Sequence, residues 1–163
     1  MNKNYLGVGI NKKIFILMFI VYIIIIYSIL KPLENYLVFT VAYHSCLLLG
    51  IFTEVSYYGD RIYLNGINIE VIAPCTGVVF ISIYLALILS LSRDIKEVLA
   101  GLPLLVVVYF GNLLRIIITG IFGKIFIKEI YWVHELAGYL ITPIFLVIAA
   151  MMYLKILSKI RNK

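Results

Sequence analysis

Cys75 lies in the stretch NIEVIAPCTGVVFISIYL, between an alternating polar and apolar segment and a long apolar run. Thr76 is suited to cap the helix that begins here, and Gly77 leaves room around the helix start. A thiol at this position faces unpaired backbone N–H groups and the positive end of the helix dipole, which favour the nucleophilic thiolate. We therefore predict that Cys75 is a candidate nucleophile. The alternative is a small residue that fills a helix start, and for one cysteine alone that alternative is the better supported.

Arg115 lies inside the apolar run YFGNLLRIIITGIFG, where an arginine costs about 2.5 to 3.5 kcal/mol on membrane-insertion scales. Asn112 is three residues earlier and therefore shares a helix face with Arg115. Because a charge inside a membrane span is by default a sign of function, we expect this pair to face the bundle interior and bind an oxyanion or a carbonyl. The alternative is an arginine whose side chain extends to the surface near the outer end of its helix.

His134 opens another apolar run, in YWVHELAGYLITP, beside the interfacial aromatic residues Tyr131 and Trp132. Near neutral pH a histidine can take and return a proton, which is what a cysteine nucleophile needs from its partner. Gly138 is one turn later and permits close helix packing. Glu135 points about 100° around the helix from His134 and is a weak candidate for orienting the ring. The alternative is an ordinary interfacial histidine.

The remaining polar residues of the apolar runs have simpler interpretations. His44 and Cys46 lie in the middle of a run, so we expect His44 to hydrogen-bond between helices and Cys46 to pack. Asp60 and Arg61 are expected to be solvated. The sequence contains no CxxC pair, so it predicts no thiolate zinc site or redox dithiol, and the proposed chemistry needs no metal or organic cofactor.

Composition places these residues in a membrane protein. Of the 163 residues, 64% are hydrophobic, and the formal charge is +6. In such a chain the positive charge reflects topology and contact with membrane lipids, so we expect no nucleic-acid partner. We predict one integral membrane domain over residues 1–163, an all-α bundle of about five transmembrane helices. The predicted spans are about 14–30, 36–53, 76–91, 98–121 and 132–157. Lys31-Pro32 is expected to end the first span, because proline lacks the N–H that a continuing helix needs.

One segment between the second and third spans is predicted to be non-helical. The runs RIYL and INIEVI flank Asn65-Gly66, a dipeptide suited to a two-residue turn, so the sequence predicts a β-hairpin within about residues 55–73. Ile67, Ile69 and Val71 would share one face. A hairpin edge cannot lie in lipid, so we expect this element at the extracytoplasmic membrane surface.

The distribution of Lys and Arg gives an orientation. Five alternating spans put Lys31, the loop with Arg93 and Lys96, and the basic C-terminal tail on one side, which we predict to be cytoplasmic. The same count leaves the N-terminal lysines on the other side, and the two sides then carry seven and six positive residues. In this arrangement Cys75, Arg115 and His134 share the extracytoplasmic leaflet.

The order of three short motifs resembles the exosortase and archaeosortase family of multi-pass membrane transpeptidases. PCTG stands at a helix start, NLLRI follows in the next helix, and HELAG opens the one after. The similarity covers roughly residues 58–155, including the hairpin and the short basic loop. Threonine follows the cysteine where many members have serine, and larger members have extra N-terminal spans.

The resemblance implies an activity and a set of partners. Family members recognise proteins whose C-terminus carries a short motif, a transmembrane helix and a basic tail. Cys75 matches the family nucleophile, Arg115 the family arginine, His134 the family histidine and Asn112 the asparagine that accompanies the arginine. The new C-terminus passes to an acceptor amine on a lipid or surface component, at the extracytoplasmic side of the cell membrane.

Two other functions fit the same residues. A non-enzymatic membrane subunit, such as an assembly or transport factor, would use Arg115 for helix pairing and would need no reactive thiol. An intramembrane protease would use the same side chains but release its product to water.

Overall fold

The computed structural model describes residues 12–64, 66–126 and 130–162. Within them the chain forms six α-helices and three short strands. The elements are α1 (Lys12–Leu30), α2 (Glu34–Leu49), β1 (Val55–Tyr58), β2 (Arg61–Leu64), β3 (Ile67–Glu70), α3 (Val78–Leu91), α4 (Ile95–Gly101), α5 (Leu105–Ile125) and α6 (Ile130–Arg161).

The first two predicted spans form one continuous helical segment. We expected Pro32 to end the first span, but it lies early in a short 3-10 turn, Lys31–Leu33, that joins α1 directly to α2. A missing N–H is tolerated there, because the first N–H groups of a helical turn have no partner inside the turn. The joined segment, Lys12–Leu49, has 38 residues and is about 57 Å long at the usual helical rise.

The predicted count of five transmembrane helices is not confirmed. Among the described residues, three helical segments are long and apolar enough to cross a membrane: Lys12–Leu49, Ile95–Gly123 and Trp132–Arg161. The third predicted span corresponds to α3, a shorter apolar helix of 14 residues. Pro103 lies in a 3-10 turn that joins α4 to α5, and Pro143 lies inside α6 without ending it.

The joined segment places the start of α1 beside the end of α3, the α3–α4 loop and the end of α6. This region carries Arg93, Lys96 and the basic tail and is here called the basic end. Phe15 packs on the core that includes Leu91 and Leu157, which lie at the ends of α3 and α6. At the other end of the segment, α2 contacts the turn before α3. The segment therefore runs antiparallel to α3. It brings Lys12 and Lys13 to the basic end, whereas the five-span prediction had placed them on the opposite side.

The non-helical element is a three-stranded antiparallel sheet with the order β1-β2-β3. The hairpin of β2 and β3 is confirmed, with Gly66 in the turn at φ 90°; Asn65 lies outside the described residues. The sequence analysis missed β1, which pairs with β2 across Gly59-Asp60, another two-residue turn with a glycine at positive φ. Ile67 and Ile69 are half-buried and share one face, as predicted, and they alternate with exposed Asn68 and Glu70.

Two apolar clusters fill the interior. The first, here called the sheet-side core, joins α2, the sheet and the middle of α5 around Cys75. Its buried members are Val38, Val41, Ala42, Leu49, Ile62, Leu64, Val71, Cys75, Leu113, Ile116 and Ile117. The second, the basic-end core, joins α3, α5 and α6 and is formed by Tyr84, Ile88, Leu91, Leu104, Val108, Ala149, Tyr153 and Leu157. The candidate site lies beside the sheet-side core.

A buried ion pair closes the basic end. The Arg161 guanidinium donates to both carboxylate oxygens of Glu97 at 2.7 Å and to the carbonyl of Leu91 at 2.7 Å. Glu97 also accepts from the backbone N–H of Arg93, so its carboxylate is paired although its side chain is only 4% exposed. These bonds tie the end of α6 to the end of α3 and the start of α4.

Removing one partner of this pair is expected to destabilise the fold. Arg161→Met removes the charge that is hydrogen-bonded to the buried Glu97 carboxylate, so the free energy of unfolding should fall by about 3 to 5 kcal/mol. Arg61→Met is the matched control, because Arg61 and Glu70 form an ion pair whose side chains are about half exposed. Denaturant titration in mixed micelles measures both variants. Equal losses of unfolding free energy in the two variants would contradict a larger contribution of the buried ion pair to stability.

Candidate active site

Cys75 lies in a tight turn that leads into α3. Ala73–Thr76 forms a 3-10 turn, and the N–H of Cys75 donates to the carbonyl of Ile72 at 2.7 Å. Thr76 was predicted to cap α3, and this is wrong. Its hydroxyl donates back to the carbonyl of Ala73 at 2.7 Å, and Gly77, at φ 77°, occupies the N-cap position. The left-handed conformation of Gly77 lets the chain change direction between the turn and the helix.

Asn112 holds this turn from α5. Its amide nitrogen donates to the carbonyl of Cys75 at 2.8 Å, and its side chain is buried. Gly77 allows the approach, because a Cβ on Gly77 would lie 2.9 Å from Cγ of Asn112. We expected Asn112 to bind a substrate carbonyl with Arg115. The structure instead uses its amide nitrogen on the protein's own backbone, which makes Asn112 a positioning residue for Cys75.

The side chain of Cys75 is buried in the sheet-side core and is 4% exposed. Its neighbour Ile72, three residues earlier, is half exposed and lines a cavity that Cys75 itself does not line. The structure therefore places the thiol in the sheet-side core and not in the lining of that cavity. The cavity lining thus contains the arginine and the histidine of the predicted site but not Cys75.

Arg115 and His134 are in direct contact. One terminal guanidinium nitrogen, Nη2, lies 3.0 Å from Nε2 of His134. An arginine only donates, so Nε2 must accept, and the neutral imidazole then carries its proton on Nδ1. Gly138 makes room for the pair, because a Cβ there would lie 3.1 Å from Cζ and Nε of Arg115. Within the described residues, Nε of Arg115 is buried and has no hydrogen-bond partner.

The pair opens on a cavity of about 590 Å³ between the sheet and helices α3, α5 and α6. Its lining combines the Arg115–His134 pair with strand β3, the segment after it, α3 and α6. The lining residues are Asn68, Ile69, Glu70, Ile72, Phe80, Arg115, Thr119, His134, Glu135, Gly138 and Tyr139. The cavity is large enough for several residues of a peptide.

Sequence reasoning missed the contribution of strand β3 to this cavity. The hairpin was predicted, but only its apolar face was interpreted, and the exposed alternate positions Asn68 and Glu70 were not considered. Glu135, judged a weak partner for the histidine ring, lines the cavity as well. The signal for Asn68 and Glu70 was the strict alternation INIE, which places both on the face opposite Ile67 and Ile69.

The two central residues of α2 behave as expected. Nδ1 of His44 lies 2.8 Å from the hydroxyl of Tyr109 on α5, so His44 forms a hydrogen bond between helices. Cys46 is half-buried and packs against the sheet-side core. Within the part of the chain that the structure describes, no three His, Cys, Asp or Glu side chains come together as a metal site would need.

Comparisons with known proteins agree on one family. The family model described as transmembrane exosortase matches residues 8–154 of this chain. A protein named probable archaeosortase E, from Methanocaldococcus jannaschii, is 30% identical over 153 residues, which cover 93% of this chain and 83% of that protein. No solved structure matches.

Gly77→Ala is expected to release Cys75 from its buried position. The added Cβ would push against Asn112 and break the hydrogen bond to the Cys75 carbonyl. In a Cys46→Ser background, alkylation of Cys75 by a maleimide should accelerate about ten-fold, the equivalent of one lost hydrogen bond. Gly66→Ala is the matched control, since Gly66 also has positive φ but would meet nothing within 4 Å. Unchanged alkylation in Gly77→Ala would contradict the role of this contact.

Proposed function

We propose that this chain, which belongs to the transmembrane exosortase family, is a cysteine transpeptidase that cleaves a C-terminal sorting signal. Its substrates are exported surface proteins that end in a short motif, a transmembrane helix and a basic tail. The new C-terminus is transferred to an acceptor amine on a lipid or surface component. The observation that carries this proposal is the contact between Arg115 and His134 in the wall of a peptide-sized cavity beside the Cys75 turn.

In the proposed reaction the Cys75 sulfur attacks the scissile carbonyl while His134 takes the thiol proton. Guanidinium N–H groups of Arg115 donate to the carbonyl oxygen as it becomes an oxyanion. His134 then returns the proton to the leaving amine, the C–N bond breaks, and a thioester remains on Cys75. The acceptor amine attacks the thioester, its proton passes to the leaving thiolate through His134, and an amide forms.

The histidine and the substrate compete for the same donor in this scheme. Nε2 of His134 cannot take a proton while it accepts a hydrogen bond from Arg115. A substrate carbonyl that draws the guanidinium toward itself frees the imidazole lone pair at the moment a base is needed. The buried thiol requires a second adjustment, in which the wall at Ile72 moves aside when the substrate binds.

The charge distribution supports an extracytoplasmic site in the cell membrane. Lys12, Lys96, Lys159 and Arg161 lie at the basic end, and positive residues favour the cytoplasmic side. The Cys75 turn and the sheet lie at the opposite end of α3 from this basic end. The joined helix α1–α2 favours this assignment at Lys12 and Lys13, which it moves to the basic end, while Lys31 lies about 28 Å further along the same helix.

The burial of the Cys75 thiol favours a second candidate, a non-enzymatic membrane subunit. In that case Cys75 is a packing residue of the sheet-side core, and Arg115 and His134 link α5 to α6. The two candidates differ in their need for the sulfur, and substitution of Cys75 separates them.

Cys75→Ala is expected to abolish processing while the protein is still made and inserted, since the reaction needs the sulfur. The reporter is an exported domain fused to the last residues of a protein from the same genome, comprising motif, hydrophobic helix and basic cluster. Immunoblotting after co-expression shows whether the tail is removed. Cys46→Ala is the matched control and should process the reporter normally. Continued processing by Cys75→Ala would exclude the nucleophile role.

Arg115→Gln is expected to lower kcat by about 10² to 10³ with a small effect on KM, because the lost donor acts on charge that develops in the transition state. Lys96→Gln, which removes an exposed cation at the basic end, is the control. A loss confined to KM would place Arg115 in ground-state binding instead. Mass spectrometry of the new C-terminus then identifies the reaction: an amide adduct indicates transfer, and a free carboxylate indicates hydrolysis.

A further inference from the structure

Strand β3 is an edge strand, and its free edge lines the same cavity as Arg115 and His134. Three consecutive residues, Asn68, Ile69 and Glu70, contribute to the lining. Successive side chains of a strand point to opposite faces, so one face of β3 cannot supply all three. The cavity therefore runs along the backbone edge that no other strand of the three-stranded sheet occupies.

The pairing register shows which backbone groups lie on this edge. Val71 N–H donates to the carbonyl of Asp60 at 2.8 Å, so the pair of residues 60 and 71 is hydrogen-bonded. Bonded and non-bonded pairs alternate along an antiparallel ladder. Asn68 opposite Tyr63 and Glu70 opposite Arg61 are consequently non-bonded pairs. Their N–H and C=O groups point away from β2, toward the cavity.

These outward groups require a partner of a particular kind. Within the described residues, no backbone hydrogen bond beyond the ladder reaches Asn68 or Glu70. A free strand edge is costly near a membrane, where water is scarce and lipid tails offer neither donor nor acceptor. A helix has no free backbone groups with which to pair along its length. An extended peptide has both, with the spacing of a strand.

We infer that the substrate docks as an extended fourth strand on the edge of β3, pairing with the backbone of Asn68 and Glu70. This inference rests on the proposed function and names how the substrate is held. The segment N-terminal to the substrate's transmembrane helix lies along Asn68 to Ile72, which brings a peptide carbonyl past the Arg115–His134 pair. Recognition of the main chain fixes the register of the scissile bond, and the cavity walls at Phe80 and Tyr139 select its side chains.

Proline substitution tests the role of the outward N–H. Asn68→Pro removes that donor and blocks an approaching strand, yet it spares the ladder, because the N–H of Asn68 does not face β2. Asn68→Ala removes the same side-chain amide but keeps the backbone N–H. We expect kcat/KM for the reporter to be about ten-fold lower in the proline variant than in the alanine variant.

The opposite edge of the sheet provides the matched control. Tyr57 on β1 lies opposite Ile62, and alternation along this ladder also makes it a non-bonded residue whose N–H points outward. Tyr57→Pro and Tyr57→Ala should therefore have similar kcat/KM values. Equal proline-to-alanine ratios at positions 57 and 68 would overturn the docking mode, because both substitutions would then act only through the sheet.

Photo-crosslinking in the Cys75→Ala background separates this inference from the proposed chemistry. A benzophenone amino acid at position 68 should crosslink to the reporter, and the same probe at position 57 should not. A crosslink at position 68 with a reporter that the wild type does not cleave would support docking and reject the reaction. Cleavage by the wild type without a crosslink at position 68 would reject docking and leave the reaction standing. Absence of both overturns the inference as well.

Discussion

The hydrogen bond from Asn112 to the carbonyl of Cys75 is the contact on which the site depends. It fixes the turn before α3 against the middle of α5 and sets the height of Cys75 relative to Arg115, one helical turn further along α5. A buried carboxamide without this partner would cost about 1 to 3 kcal/mol, so the bond also stabilises the junction. Gly77 is what makes the contact possible, because any side chain there would displace Asn112.

The sequence predicted the residue types of the site better than the path of the chain. Arg115 and Asn112 stood out because polar groups inside an apolar helix need partners, and each makes one hydrogen bond. Among the described residues, Nε of Arg115 and Oδ1 of Asn112 have no partner. Pro32 misled the span count, because its effect depends on whether its missing N–H falls at the first positions of a turn, which spacing alone does not show. The burial of the Cys75 thiol depends on packing between distant elements, and no local pattern encodes it.

The sheet shows where local patterns are sufficient and where they are not. Two-residue turns and alternation predicted β2 and β3, and the same rules applied to Gly59-Asp60 would have predicted β1. That β3 rather than β1 faces the Arg115–His134 pair was not predictable, since it depends on how the sheet packs on α5. Ile69 contributes to this packing, because its side chain lies against Gly120 on α5 and also lines the cavity.

The burial of the Cys75 thiol is consistent with transfer to an amine in preference to water. In the proposed reaction, Cys75 becomes accessible only when an extended substrate displaces the segment at Ile72, so the sulfur is shielded until the carbonyl is in place. The same substrate carbonyl draws Arg115 away from Nε2 of His134 and creates the base when the nucleophile is uncovered. In the proposed reaction, coupling both events to strand docking would expose the thiol only when substrate is bound. It would also confine the thioester to a site that the substrate itself closes to solvent.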